Sequence, residues 1–113
     1  IQESPPDVLV GFSWGGGVVC WLLAHRQWTG PTILLAPTLA AMRSAACGGP
    51  RRFSEPLDAC PVHVFHATHD GFCPESQARE LERAGCKVHY CNDDHVLCRS
   101  VQDIAQVLRR LFE

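Results

Sequence analysis

The stretch that decides the fold is Asp7–Gly17, DVLVGFSWGGG. Its first part, Asp7 to Phe12, is a short valine-rich run with no polar alternation, the pattern of a strand covered on both faces. The glycines that follow open a segment, Gly15 to Trp28, that is apolar on nearly every side and reads as a buried helix. Gly30 and Pro31 stop it. Between strand and helix stands Ser13, at the centre of Gly11-Phe12-Ser13-Trp14-Gly15. A turn this tight puts its central residue in a strained backbone conformation, and the flanking glycines leave room for the crossing chain. The Ser13 hydroxyl is then expected above the sheet, at a helix N-terminus. There the Trp14 backbone N–H can face a developing oxyanion, helped by the helix dipole.

Outward from this turn, strands and helices alternate. Thr32 to Ala36 (TILLA) predicts a second buried strand, and Pro37 to Pro61 a short helix plus loop around Gly48-Gly49-Pro50. Pro61 to Ala67 (PVHVFHA) predicts a third strand and Cys86 to Cys91 (CKVHYC) a fourth. Pro74 to Ala84 carries proline at a helix start, Glu75 in the first turn, apolar Ala78 and Leu81, and Gly85 as the stop. A last helix begins near Ser100, where Ser100 and Asp103 suggest a variant capping box. Val101, Ile104, Ala105, Leu108, Leu111 and Phe112 then recur at helical spacing. Continuous apolar strands alternating with helices predict an α/β fold, a parallel sheet of about four strands in sequential order, flanked by helices on both faces.

Two more loops carry chemistry. Asp70 follows the third strand, at the carboxyl edge where sites collect in open parallel sheets. A carboxylate there can accept the Nδ1–H of a histidine, fixing its tautomer and stabilising the imidazolium. The bland reading of Asp70-Gly71 is an ordinary turn pair. His95 follows the fourth strand, at the same edge, where it can act as base toward Ser13 and then as acid toward the leaving group. The chain order Ser, Asp, His is one this arrangement allows. Asp93 and Asp94 are rival acids, but they lie too close along the chain to reach the far side of the His95 ring, and read as loop-shaping residues. His63, His66, His69 and Asp70 superficially suggest a metal site. Strand alternation points His63 and His66 to opposite faces, so no metal site is expected.

Composition bounds the rest. The 113 residues are 46% hydrophobic, enough for one folded domain. A net charge of -2 gives no electrostatic reason to expect a nucleic-acid or membrane partner, and Arg51-Arg52 and Arg109-Arg110 read as solvated surface. The longest apolar run, Gly15 to Ala24, falls short of the roughly 18 residues a membrane helix needs. The seven cysteines, Cys20, Cys47, Cys60, Cys73, Cys86, Cys91 and Cys98, are odd in number and form no C-x-x-C pair. They read as reduced thiols of an intracellular, cytoplasmic protein.

GFSWGG, ATHDGFCP and DDHVL together resemble the α/β-hydrolase superfamily, in particular small serine esterases and dienelactone-hydrolase-like members. The resemblance implies a Ser13–Asp70–His95 catalytic triad, with no cofactor. Thr68, Asp70 and Pro74 match the acid loop, while Ala67 stands where the family usually has glycine and Cys73 where it has valine. Dienelactone hydrolases proper use a cysteine nucleophile; Ser13 holds that place here. The four strands look like the fifth to eighth of an eight-stranded sheet, so residues 1–113 would form a partial domain. The N-terminal half, with the loop that normally gives the first oxyanion donor, would come from sequence outside them. Without it, the Asp7–Phe12 strand is an open apolar edge. The segment from Pro37 to Cys60 is too short for a lid domain, so an open site lined by Trp14, Phe72 and Val96 is expected. The activity implied is hydrolysis of a small-molecule carboxylic ester or thioester through an acyl-enzyme. The alternatives are a non-catalytic remnant that binds a partner through the exposed strand edge, and an acyltransferase or peptidase on the same machinery.

Overall fold

The computed structural model describes residues 7–42 and 61–111. The element order is β1 (Leu9–Phe12), α1 (Trp14–Ala24), β2 (Thr32–Leu35), α2 (Leu39–Met42), β3 (Val62–Ala67), α3 (Glu75–Arg83), β4 (Lys87–Cys91), a 3-10 turn (Cys98–Ser100) and α4 (Val101–Leu111). The strands form one sheet in the order β1-β2-β3-β4. Every pairing is parallel, with Phe12 opposite Leu35, Leu35 opposite Phe65 and Ala67 opposite Cys91. The carboxyl ends of the four strands therefore line up along one edge.

Strand alternation divides the core in two. Leu34, Val62 and Val64 pack with Val19, Cys20 and Leu23 of α1, Leu39 and Met42 of α2, and Leu81 of α3. Ile33, Phe65 and Ala67 face the other way, against Leu97 and Val107, with Ile104, Leu108 and Leu111 of α4 around them. Three helices thus cover one face and α4 the other. Phe65, 1% exposed, is the largest fully buried side chain among the described residues. Its truncation to alanine would cost about 3–5 kcal/mol. Toward β1 no described residue covers the second face, where Val10 is 48% and Phe12 46% exposed.

Two element ends differ from the sequence reading. The first helix stops at Ala24, capped by His25, instead of reaching Trp28. Arg26 takes a left-handed φ of 58°, and the chain turns back with Gln27 N–H donating to Leu22 O. Trp28 is still buried, but in the loop, where its indole N–H donates to Thr32 Oγ1 at 2.9 Å. The capping box at Ser100 does not form. The Ser100 hydroxyl donates to Asp93 Oδ2 at 2.9 Å, so it ties the preceding loop rather than the first turn of α4. The Gly48-Gly49-Pro50 loop and Phe112 lie outside the described residues.

Candidate active site

Ser13 closes β1 and opens α1. Its φ of 55° is the strained conformation that the tight turn demands. Gly11 is needed there, since a Cβ on it would stand 2.8 Å from Gly16 Cα. Gly15 is not crowded: among the described residues nothing lies within 4 Å of the place its Cβ would take. The expectation that both flanking glycines make room thus holds for Gly11 alone. The first helical hydrogen bond runs from Gly17 N–H to Ser13 O, and no side chain caps the helix. The Trp14 N–H precedes that first bond and has no intrahelical acceptor, so it is open to an anionic oxygen at the dipole's positive end.

Asp70 follows β3 in a loop sewn to the loop after β4. Thr68 N–H and Oγ1–H both donate to Cys91 O, and His69 N–H donates to Asp93 O. The Asp70 side chain is 0% exposed. Its Oδ1 accepts the Phe72 and Cys73 backbone N–H groups at 2.7 and 3.1 Å. Its Oδ2 faces His95 Nδ1 at 2.6 Å. Burial alone would favour the protonated acid, but the hydrogen bond from His95 and the two backbone N–H groups outweigh it. The carboxyl is held below its usual range.

His95 reaches both partners. Its Nε2 stands 2.7 Å from Ser13 Oγ, across a sequence separation of 82 residues. An ionised carboxylate only accepts, so Nδ1 carries the proton toward Asp70 and Nε2 is left to accept the Ser13 O–H. Asp93 and Asp94 point elsewhere. Asp93 accepts from Asp94 N–H, Arg99 N–H and the Ser100 hydroxyl, while Asp94 accepts from Val96 N–H. Burial opposes the charge on Asp93, yet these donors hold its pKa below the usual value. Both residues shape the loop that presents His95.

Around the pair, the Phe72 ring lies 5.1 Å from His95 and is 75% exposed, and Trp14 is 56% exposed. Val96 is 62% exposed beside His95. Phe12, which the sequence reading placed only in the strand, brings its ring to 5.5 Å from His95. Its signal was its place immediately before the serine. Thr38 was missed as well: its N–H donates to Ser13 O at 2.9 Å, a contact with no local sequence signature.

The histidine motif separates as strand alternation requires. His63 pairs with His89 at 3.1 Å, His66 is buried against the Tyr90 ring, and His69 bonds Asn92 Oδ1. Asp70, Cys73 and His95 do bring donor atoms within 4.8 Å of one another. Asp70 Oδ2 and His95 Nδ1 already share a proton at 2.6 Å, so an ion could enter only by replacing it. Cys73 and Cys91 are buried free thiols. No helix among the described residues is long and apolar enough to cross a membrane.

No family model and no curated protein matches the sequence. Solved structures do. A Bacillus cereus carboxylesterase superposes with a TM-score of 0.68 at 21% identity, covering 97% of this chain and 53% of its own. A candidate hydrolase from Agrobacterium vitis S4 gives 0.67 at 19% identity, over 94% of this chain and 61% of its own. An alpha-beta serine hydrolase homologue from Coxiella burnetii gives 0.59 at 15% identity, over 91% and 47%. The chain has the α/β-hydrolase fold. It spans between about half and three fifths of the length of these neighbours. In this chain the turn after β1 and the loops after β3 and β4 meet at the carboxyl edge of the sheet, where Ser13, Asp70 and His95 stand.

Proposed function

We propose that this chain carries the catalytic residues of a serine hydrolase that cleaves a carboxylic ester or thioester through an acyl-enzyme. The observation that carries the reading is the position of His95, within hydrogen-bond distance of both Ser13 Oγ and Asp70 Oδ2 although the three come from separate loops. His95 Nε2 takes the Ser13 proton as Oγ attacks the substrate carbonyl carbon. Asp70 keeps the ring oriented and offsets the charge it gains. The carbonyl oxygen, now anionic, receives the Trp14 N–H. Collapse of the tetrahedral intermediate expels an alkoxide or thiolate, which takes the proton from His95 Nε2. Water then repeats the sequence on the acyl-Ser13 ester, losing its proton to His95 and releasing the acid. Phe72, Trp14 and Val96 line the approach to this pair, and none of the steps uses a cofactor.

In this reading a second oxyanion donor and further strands would stand along the edge of β1 that no described strand pairs. The exposed Val10 and Phe12, on the sheet face beside that edge, suit the rival reading, a non-catalytic module that binds through the exposed strand. Labelling of the native protein with a fluorophosphonate separates the two. The hydrolase reading expects a covalent adduct that disappears in Ser13→Ala. Equal labelling of wild type and variant, or none in either, leaves the binding module.

A further inference from the structure

The segment Ala36–Leu39, from the end of β2 to the first residue of α2, touches both halves of the candidate site and belongs to neither. On one side it holds the nucleophile turn. Thr38 N–H donates to Ser13 O at 2.9 Å. Pro37 and Thr38 press on α1 so closely that a Cβ on Gly17 would stand 2.0 Å from Thr38 O. On the other side the segment is tied to the acid loop and the helix after it. Cys73 Sγ donates to Ala36 O at 3.4 Å and stands 3.4 Å from Thr38 Oγ1, which can donate to it in turn. Gln77 of α3 places Oε1 2.7 Å from the Leu39 N–H. The segment also carries strain, since Ala36 has a left-handed φ of 44°. A strained backbone persists only where its surroundings over-determine it, and here the ties on both sides do so.

We propose that Gln77 is a positioning residue for Ser13, acting through the Ala36–Leu39 segment with the Cys73 thiol as a second tether. This inference rests on the hydrolase reading. The same loop that seats Asp70 runs directly into Cys73 and Gln77, so the nucleophile is registered against its own acid. Ser13 Oγ must stay within reach of His95 Nε2 while φ at Ser13 is strained. The Thr38 N–H on the Ser13 carbonyl keeps the turn from relaxing. Gln77 and Cys73 in turn fix where that N–H sits. Burial pushes the Cys73 thiol up, so at neutral pH it remains a neutral donor rather than a thiolate. Gln77 bonds the Leu39 N–H and not the triad, so its influence would be on geometry alone, whereas Cys73 also touches the triad, with its thiol 4.0 Å from His95 Nδ1 and its N–H on Asp70 Oδ1. A displacement of about 1 Å at a nucleophile can cost on the order of 100-fold in rate.

The test is the second-order rate of fluorophosphonate labelling, with kcat and KM on an activated ester, for the native protein and four variants. Gln77→Leu keeps the side-chain size and removes the acceptor. It should lower the labelling rate and kcat by about 10- to 100-fold while leaving KM unchanged. Gln77→Glu keeps an oxygen on the Leu39 N–H and should restore both rates. Leu81→Val loosens the core under α3 without touching the segment; it should lower thermal stability and leave the labelling rate as in wild type. If Gln77→Leu does not fold, Thr38→Val removes only the hydroxyl that faces Cys73 and should show the same loss in kcat at constant KM. Wild-type labelling rates in Gln77→Leu or Thr38→Val overturn the inference while the hydrolase reading stands. A rate that falls in Leu81→Val in step with stability also overturns it, because positioning is then indistinguishable from general packing. Absence of Ser13-dependent labelling in the wild type overturns the hydrolase reading, and this inference with it.

Discussion

Replacing Asp70 by asparagine changes one atom and inverts the hydrogen bonding of the site. In the native site three N–H groups converge on a side chain that is 0% exposed: Phe72 and Cys73 N–H on Oδ1, His95 Nδ1–H on Oδ2. Asparagine has one acceptor oxygen and one NH2. If its oxygen keeps the two backbone donors, its NH2 meets His95 Nδ1. The imidazole must then carry its proton on Nε2, where it donates to Ser13 Oγ instead of accepting from it. If the amide flips, a donor faces the two backbone donors, and stranding the part-buried Cys73 N–H costs about 1–3 kcal/mol. The first orientation therefore wins, and the fold survives with the wrong tautomer. Loss of the correct tautomer in a serine triad costs on the order of 10⁴ in kcat, which is about 5 kcal/mol in the barrier. Stopped-flow or plate-based turnover of an activated ester, alongside the fluorophosphonate rate and a thermal melt, measures both parts. The expected result is a melt close to wild type with kcat down by about 10⁴. Turnover within about tenfold of wild type would refute the reasoning, since Asp70 would then not set the His95 tautomer.

Three histidines should make the fold acid-sensitive. His63, His66 and His89 all have pKa values lowered from the ordinary 6.5, chiefly by burial, with His89 and Lys87 adding to the effect at His63 and Lys87 at His89, while Asp70 opposes it at His66. The unfolded chain therefore takes up protons first as pH falls through 6.5, so stability present above 6.5 is lost progressively below it, down through the folded-state values. Denaturant melts between pH 7.5 and 5 should show that decline, and His63→Gln should flatten it; a midpoint independent of pH would contradict the assignment. Gly17→Ala should destabilise by about 1–3 kcal/mol, because its Cβ would overlap Thr38 O. Gly15→Ala, at an open position, should be tolerated, and equal melts for the two variants would show that the approach of Thr38 to α1 is not tight.

Much of the architecture was legible because it is local. DVLVGF, TILLA, PVHVFHA and CKVHYC are continuous apolar runs, and a parallel sheet is what such runs form when helices separate them. The three residues at the carboxyl edge were legible because their loops follow those strands, so strand assignment placed them on one rim before any distance was known. Trp28 was misassigned to the first helix because a buried loop tryptophan and a buried helical one have the same hydrophobicity. The left-handed turn at Arg26 separates them, and its sequence gives no glycine to announce it. Ser100 was read as a helix cap because it stands three residues before Asp103; the structure spends its hydroxyl on Asp93, a buried acid that the sequence could only mark as a rival. Thr38, Cys73 and Gln77 were unreadable for a different reason. Their contacts join segments 35 and 38 residues apart, and nothing in residue type alone says which segments will meet.

The most direct test of the account is identification of the labelled residue. The native protein is treated with a fluorophosphonate, digested, and the adduct located by mass spectrometry, with His95→Ala as the companion variant. The account predicts a single modification on Ser13 and a loss of nearly all labelling in His95→Ala, because members of a triad act as a unit. An adduct on another residue, or Ser13 labelled at an undiminished rate without His95, would contradict it.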